Sequence, residues 1–236
     1  MLKKKLGVKF WTAMLIFGLV GQIAWVVENM YLNVFMYKMF HATASDISTM
    51  VSASAIAAAV TTILIGALSD KVGKRKIFMC LGYIVWGITI LGFALIKTEH
   101  LSLFTAGMTK TFTLCISLVI VLDCIMTFFG SMSNDACYNA WITDCGDESN
   151  RGKIEGFNSM MPLAAILVVF GGFMGFNLDK VSSWTAIFTI IGGLVLIIGV
   201  AGFFLIEEKT TKVIDDDNTY WKNILYSFRP KVMKEN

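Results

Sequence analysis

The chain has 236 residues, of which 56% are hydrophobic and 16% charged, whereas roughly a quarter of the residues of a soluble protein are charged. Its net charge of +3 is not gathered on a basic face with stacking aromatic residues, so we expect no nucleic-acid partner. Its five cysteines form no CxxC pair, so we expect no disulfide framework, and we expect no metal and no cofactor.

Six apolar stretches predict an all-α, polytopic membrane protein. A hydrocarbon core about 30 Å thick is crossed by about 20 apolar residues in a helix. The stretches are Phe10–Phe35, Ile47–Leu68, Ile77–Ile96, Phe112–Ala140, Ile154–Leu178 and Trp184–Ile206. The fourth is longer than the lipid requires, and we expect it to project beyond the membrane.

The placement of positive charge predicts the orientation. Helices that alternate in direction put 16 of the 20 Lys and Arg residues on the side of both termini. Cytoplasmic connections carry an excess of Lys and Arg. We therefore expect a multi-pass protein of the cytoplasmic (inner) membrane with both termini in the cytoplasm.

The first span contains polar side chains that a lipid-facing helix would avoid. In "GQIAWVVENMYLN", Gln22, Asn29 and Asn33 lie within about 40° of one another at 100° per residue. Trp25 flanks that line, and Glu28 sits off it, nearer Trp25. Such a face suits a sugar, because amides pair with hydroxyls and the indole stacks on an apolar sugar face. The alternative is hydrogen bonding between helices.

The second span, with "SASAIAAAVTT", is rich in small residues. The small residues favour close packing of this helix against its neighbours. The alternative is that four hydroxyl side chains contact a transport pathway: Ser52, Ser54, Thr61 and Thr62.

The connection after it, "GALSDKVGKRK", joins two uncharged blocks. Gly66 is expected to allow close helix approach, Gly73 a tight reversal, and Lys74 and Arg75 to hold the loop inside.

The fourth span carries a polar stripe. Asp123, Thr127, Ser131, Asn134 and Tyr138 fall within an arc of about 80°. Asp135 lies off the stripe and closer to the cytoplasmic end of the span. An acidic residue at the bilayer centre costs about 2.5–3.5 kcal/mol, so it is expected to face a cavity. We predict that Glu28, Asp123 and Asp135 couple to an ion, and that substrate contacts come from seven side chains: Gln22, Trp25, Asn29, Asn33, Thr127, Ser131 and Asn134. A structural hydrogen bond is the alternative for Asp123.

The pattern G-x-L-S-D-x-x-G-K-R-K resembles the signature loop between helices 2 and 3 of the major facilitator superfamily. The resemblance implies one six-helix half, a 3+3 inverted repeat, of a twelve-helix fold. It places Asp70 and Arg75 in a cytoplasmic gating network whose acidic partner is Asp144, with Arg151 following in "DCGDESNRGK". Topology alone, meaning a tight turn with positive charge inside, is the alternative.

Further stretches look like the glycoside–pentoside–hexuronide:cation symporters and the sucrose–proton symporters. They include "TFFGSMSNDACYNAWITD" and "NRGKIEGFNSMMP". Melibiose-type symporters of that group carry paired aspartates on helix 2, which are missing here, so coupling through Glu28 or Asp123 is favoured. No glycine directly precedes Pro162, unlike the glycine–proline pattern of drug:proton antiporters.

We therefore expect a secondary transporter, not an enzyme, that symports a sugar or glycoside with H⁺ or Na⁺ by alternating access. Efflux of drugs or metabolites, and a non-transporting scaffold subunit, are the alternatives. Residues 1–206 form the expected bundle, and 207–236 a cytoplasmic linker with an amphipathic helix. The expected partners are membrane lipid, a small solute with its coupling cation, and a C-terminal half or second six-helix chain.

Overall fold

The architecture is a bundle of six long helices, seen in a computed structural model that describes residues 6–105 and 107–207. No strand is present among these residues. The helices are α1 (Val8–Phe40), α2 (Ala44–Val72), α3 (Arg75–Phe93), α4 (Met108–Cys145), α5 (Arg151–Phe173) and α6 (Val181–Leu205). All six are long and apolar enough to cross a membrane, which confirms the fold predicted from the sequence. Apart from Glu207, the predicted linker and its amphipathic helix lie outside the described residues.

Local capping sets where the helices begin and end. Thr43 and Asp46 form a capping box at the start of α2, where the Thr43 N–H donates to Asp46 Oδ2 (2.8 Å) and the Asp46 N–H to Thr43 Oγ1 (3.3 Å). At the other end of α2, Gly73 takes a left-handed conformation with φ of 67°. These caps lie outside the apolar stretch, so α2 extends past the span predicted from hydropathy.

Glycines set the closest helix contact, between α3 and α6. A Cβ added at Gly192 would meet Leu91 N and Gly87 O at 2.9 Å, and one at Gly199 would meet Ile84 N at 2.7 Å. The two backbones touch directly, as in lipid-embedded helix pairs whose contact residues are small. This contact forms the part of the bundle on the far side from the cavity described below.

Two helices contain wider, π-helical turns. These are Val27–Leu32 within α1 and Ser131–Tyr138 within α4. The π segment of α4 packs against α1, α2 and α3. Its Asn134 side chain lies against Gly21 of α1, and its Tyr138 hydroxyl against Gly18. Since π turns concentrate at functional sites, the neighbouring polar groups are candidates for a site.

Two helices, α2 and α5, bury only a small part of their surface within the bundle. Within their most apolar windows, 11% of the residues of α2 and 22% of those of α5 are buried. Large apolar side chains, among them Ile56 on α2 and Leu167 on α5, point away from the bundle. In a membrane these surfaces meet lipid or another protein. We call the end of the bundle that carries the α2–α3 loop the motif face, and the other end the opposite face.

Candidate functional site

A cavity of about 150 Å³ lies between α1, α2 and α4, and we call it the carboxylate cavity. Its walls consist of Trp25, Glu28, Asn29, Asn33, Met50, Val51, Ser54, Ala55, Ala58, Asp123 and Thr127. Six of these eleven residues were predicted site residues, from the first and fourth spans. The two helices that were expected to line a pathway therefore do meet at one cavity.

Glu28 is held at the junction of α1 and α4. It lies in the π segment of α1 and is 8% exposed. Thr127 Oγ1 donates a hydrogen bond of 2.8 Å to Glu28 Oε1, while Oε2 is buried without a partner. A buried polar atom without a partner is uncommon and calls for a ligand, water or ion.

Asp123 is the second carboxylate of the cavity and is 1% exposed. It stands one helical turn from Thr127 on α4, and Ser54 of α2 lies beside it. Its Oδ1 atom is buried and unpartnered. The cavity thus offers two carboxylate oxygens, one each from Glu28 and Asp123, that no group of residues 6–105 and 107–207 satisfies.

Two amide side chains, Asn29 and Asn33, line the cavity. Asn29 Nδ2 donates to Trp25 O and Asn33 Nδ2 to Asn29 O, both at 2.8 Å, so one N–H of each amide is used within α1. Asn33 Oδ1 is buried without a partner. Trp25 packs on Trp86, with ring centroids 5.1 Å apart, and its buried Nε1–H is also unpartnered. The cavity therefore combines carboxylate, amide and hydroxyl groups with an aromatic surface.

The ionisable side chains of the cavity are both acidic. Glu28 and Asp123 line it, and its lining residues include no Lys, Arg or His. An anionic ligand is disfavoured, because it would meet two acidic groups and no basic partner in a poorly hydrated site. A proton, a monovalent cation or a ligand rich in hydroxyl donors fits the acceptors on offer.

Three predicted substrate contacts lie away from the cavity walls. Gln22 precedes the π segment of α1, and the wider turns rotate it away from Asn29 and Asn33. Ser131 is fully buried deeper on α4. Asn134 Oδ1 lies 3.2 Å from the Tyr83 hydroxyl, which also donates to Phe17 O at 2.7 Å.

One carboxylate predicted to couple to an ion also lies outside the cavity lining. Asp135 is largely buried on α4, closer to the motif face than Asp123 and Thr127.

Helix α2, for which tight packing was the preferred interpretation, supplies five of the residues that line the cavity: Met50, Val51, Ser54, Ala55 and Ala58. Of its four hydroxyl side chains named above, Ser54 lines the cavity. Nothing in the small-residue run distinguished Ser54 from Ser52.

The α2–α3 loop carries the predicted charge network. Arg75 Nη2 bonds Asp70 Oδ1 at 2.7 Å, and Arg75 Nη1 lies 3.2 Å from Asp144 Oδ2. One guanidinium thus ties α2, α3 and α4 together at the motif face. Lys74 is exposed, and Gly73 makes the tight reversal that was expected of it.

Gly66 departs from its expected role. A Cβ added there would meet nothing within 4 Å, so no helix of the described residues approaches Gly66 closely. The reason is that this face of α2 points away from the bundle.

Arg151 lies at a second cavity of about 140 Å³, between α4 and α5. Its lining residues include Asp147, Glu148 and Glu155.

Comparison with known families settles the class of protein. A family model described as the Major Facilitator Superfamily matches residues 8–233. The chain belongs to the major facilitator superfamily. No curated protein matched the chain. As a member of this superfamily of transporters, it is a multi-pass membrane protein.

Proposed function

We propose that this superfamily member is a secondary transporter that symports a sugar or glycoside with a cation, H⁺ or Na⁺, across the cytoplasmic membrane. The observation that carries the proposal is the pairing in one cavity of two buried carboxylates, Glu28 and Asp123, with an indole. A carboxylate within a span costs free energy, and such residues therefore mark ion or substrate pathways.

The two partners would share the cavity in a simple way. The cation occupies the free oxygens of Glu28 and Asp123, which neutralises the cavity. A sugar then donates hydroxyl hydrogen bonds to the remaining acceptors, including Asn33 Oδ1, and lays its apolar face on Trp25. In this arrangement the cation binds before the solute, because carboxylates without a cation would hold water strongly in the space that the sugar must occupy.

The transport cycle requires a second six-helix unit, either a C-terminal half or a second chain. We propose that it docks along the exposed apolar faces of α2 and α5, on the side where the carboxylate cavity needs a wall. Rocking of the two units about the cavity would expose it to each side in turn. The motif face, with its Lys and Arg, is the proposed cytoplasmic face.

Uptake by lipid vesicles that contain the purified full chain tests this function. A panel of radiolabelled sugars and glycosides is offered under an imposed H⁺ or Na⁺ gradient. We expect accumulation of one of them under one gradient, and its loss in Glu28→Gln and Asp123→Asn. Glu99→Gln, which removes an exposed carboxylate from the α3–α4 connection, is the matched control. No accumulation under either gradient, or normal accumulation in both cavity variants, contradicts the proposal.

Efflux of organic cations is the second candidate, and the two acidic side chains of the cavity, with no basic one beside them, favour it. An amine or quaternary ammonium could pair with Glu28 or Asp123 while it lies on the face of Trp25, a cation–π arrangement. The same vesicles loaded with tetraethylammonium, a quaternary ammonium that crosses lipid bilayers poorly, separate the two functions. Proton-driven export of this cation, without sugar uptake, would favour efflux.

A further inference from the structure

Two buried hydroxyl groups between α2 and α4 have no function in the carboxylate cavity. Thr61 on α2 and Ser131 on α4 are both fully buried. Among the described residues, Thr61 Oγ1 has no hydrogen-bond partner, and Ser131 Oγ lies near the Asp135 carboxylate one helical turn along α4, with no short bond formed. Buried hydroxyls are nearly always satisfied by protein or ordered water, so two in one region indicate a place where something polar binds.

The two hydroxyls lie at the same depth of the bundle. Helices α2 and α4 run in the same direction, and two contacts fix their alignment. Ser54 lies beside Asp123, and Ser69 contacts Cys137 nearer the motif face. Thr61 lies seven residues beyond Ser54 and Ser131 eight beyond Asp123, so the pair falls between these contacts at matching levels.

A third carboxylate continues this line toward the motif face. Thr127, Ser131 and Asp135 are spaced four residues apart on α4. In a regular α-helix this spacing would drift steadily around the axis, but the π segment from Ser131 turns less per residue and counteracts the drift. Asp135 is therefore closer to the stripe than the sequence predicted.

The surroundings of Asp135 come from every neighbouring helix. It interacts electrostatically with Glu28 of α1 and with Tyr83 of α3. Helix α2 also packs against the π segment that contains Asp135. On α4 itself, Ser131 and Asn134 are its polar neighbours. No Lys, Arg or His is among these neighbours, so the carboxylate is placed to take up a proton.

We propose that Thr61, Ser131 and Asp135 form a proton-release path from the carboxylate cavity to the motif face. This inference rests on the proposed function and specifies the coupling ion as H⁺. The Glu28 or Asp123 carboxyl loses a proton, water held by the Thr61 and Ser131 hydroxyls passes it on, and the Asp135 carboxylate accepts it. Asp135 then releases that proton to water at the motif face. Chains of acidic groups and water conduct protons in this way in other transporters.

A one-sided pH jump tests the path without any solute. The full chain is placed in sealed vesicles, the external pH is raised rapidly, and infrared absorption of the protonated carboxyls is followed. The chain inserts in two orientations. Copies whose opposite face points outward lose protons directly from the cavity, whereas copies whose motif face points outward must use the path. In wild type, both orientations should lose protons in one fast phase. Thr61→Val/Ser131→Ala and Asp135→Asn should add a phase slower by about tenfold, the factor for about 1.4 kcal/mol of barrier.

Neighbouring hydroxyls provide matched controls. Thr62 bonds Ala58 O and Ser133 bonds Phe129 O, so Thr62→Val/Ser133→Ala removes two satisfied hydroxyls from the same helices. This control should keep the single fast phase. Thr61→Ser/Ser131→Thr, which keeps both hydroxyl groups, should also keep it, and it guards against a packing defect.

Three results would overturn the path. They are a single fast phase in Thr61→Val/Ser131→Ala, equal slowing in the control, and a protonated-carboxyl signal that Glu28→Gln and Asp123→Asn leave unchanged. Failure here is distinguishable from failure of sugar symport. Symport with unaltered pH-jump kinetics rejects only the path, whereas a slow phase without any sugar uptake keeps the path and rejects the substrate class.

Discussion

Thr127 Oγ1 on α4 donates a 2.8 Å hydrogen bond to Glu28 Oε1 on α1, across 99 positions of sequence. Both residues are buried, and this bond joins the two helices whose polar faces build the carboxylate cavity. It fixes which Glu28 oxygen is committed to the protein and which remains for a ligand. The geometry of the proposed cation site depends on this one hydroxyl.

Thr127→Val should therefore destabilise the bundle while keeping its shape. The variant leaves a buried carboxylate oxygen without its donor, at an expected cost of about 1–3 kcal/mol. A thiol-reactive fluorophore can follow thermal unfolding, because Cys80, Cys115, Cys137 and Cys145 are buried and react only on opening. We expect a melting temperature lower by several degrees.

Two comparison variants make that result specific. Thr127→Ser keeps the hydroxyl and should lie near wild type. Thr113→Val removes an exposed hydroxyl that bonds only Thr109 O within α4, and should have little effect. Equal losses in Thr127→Val and Thr113→Val would show that the Glu28 bond contributes nothing measurable.

Adjacent glycines on α6 should respond oppositely to alanine. At Gly192 a Cβ would meet Leu91 N and Gly87 O of α3 at 2.9 Å, and backbone atoms cannot move aside cheaply. At Gly193 a Cβ meets nothing within 4 Å. We expect Gly192→Ala to cost about 1–3 kcal/mol, as overpacking does, and Gly193→Ala to be neutral or slightly stabilising. The same thermal assay measures both, and similar melting temperatures would contradict the contact.

Most of the fold was predictable because lipid imposes a simple length rule. A stretch of about 20 apolar residues specifies a crossing helix, and all six predicted spans are helices. Their true ends were less predictable, since they depend on caps such as Thr43 with Asp46, which hydropathy does not see. The extra length of α1 and α4 consists of helix that continues past the apolar stretch.

The site was predicted in part, and the reason lies in helix periodicity. Assigning faces at 100° per residue assumes regular α-turns, but both site helices change to π turns at or near the key residues. Gln22, before the wide turns of α1, therefore separates from Asn29 and Asn33. The wide turns of α4 arise where Tyr83 and Asn134 pack against Gly21, a tertiary contact that no local pattern reveals.

Gly73 and Gly66 form a second pair with opposite expectations. Gly73 has φ of 67°, which an L side chain adopts at a cost of roughly 1–2 kcal/mol, so Gly73→Ala should lower the melting temperature. Gly73→Asn should be milder, since Asn tolerates this conformation. Gly66 lies inside α2 in open space, so Gly66→Ala should raise stability by up to about 1 kcal/mol. Destabilisation at Gly66 would indicate a partner surface there that a methyl group disturbs.

Arg75→Lys should loosen the motif face even though the charge is kept. The guanidinium reaches Asp70 and Asp144 through two different nitrogens, which a single ammonium cannot reproduce in the same geometry. Cys145, which follows Asp144 and is buried, reports the change through its rate of reaction with a maleimide. We expect labelling about fivefold faster, the factor for about 1 kcal/mol of lost interaction. Lys76→Arg, a change of the same size at the next position of α3, should leave the rate unchanged. If Arg75→Lys also leaves it unchanged, one arm of the Arg75 bridge suffices to hold α4 in place.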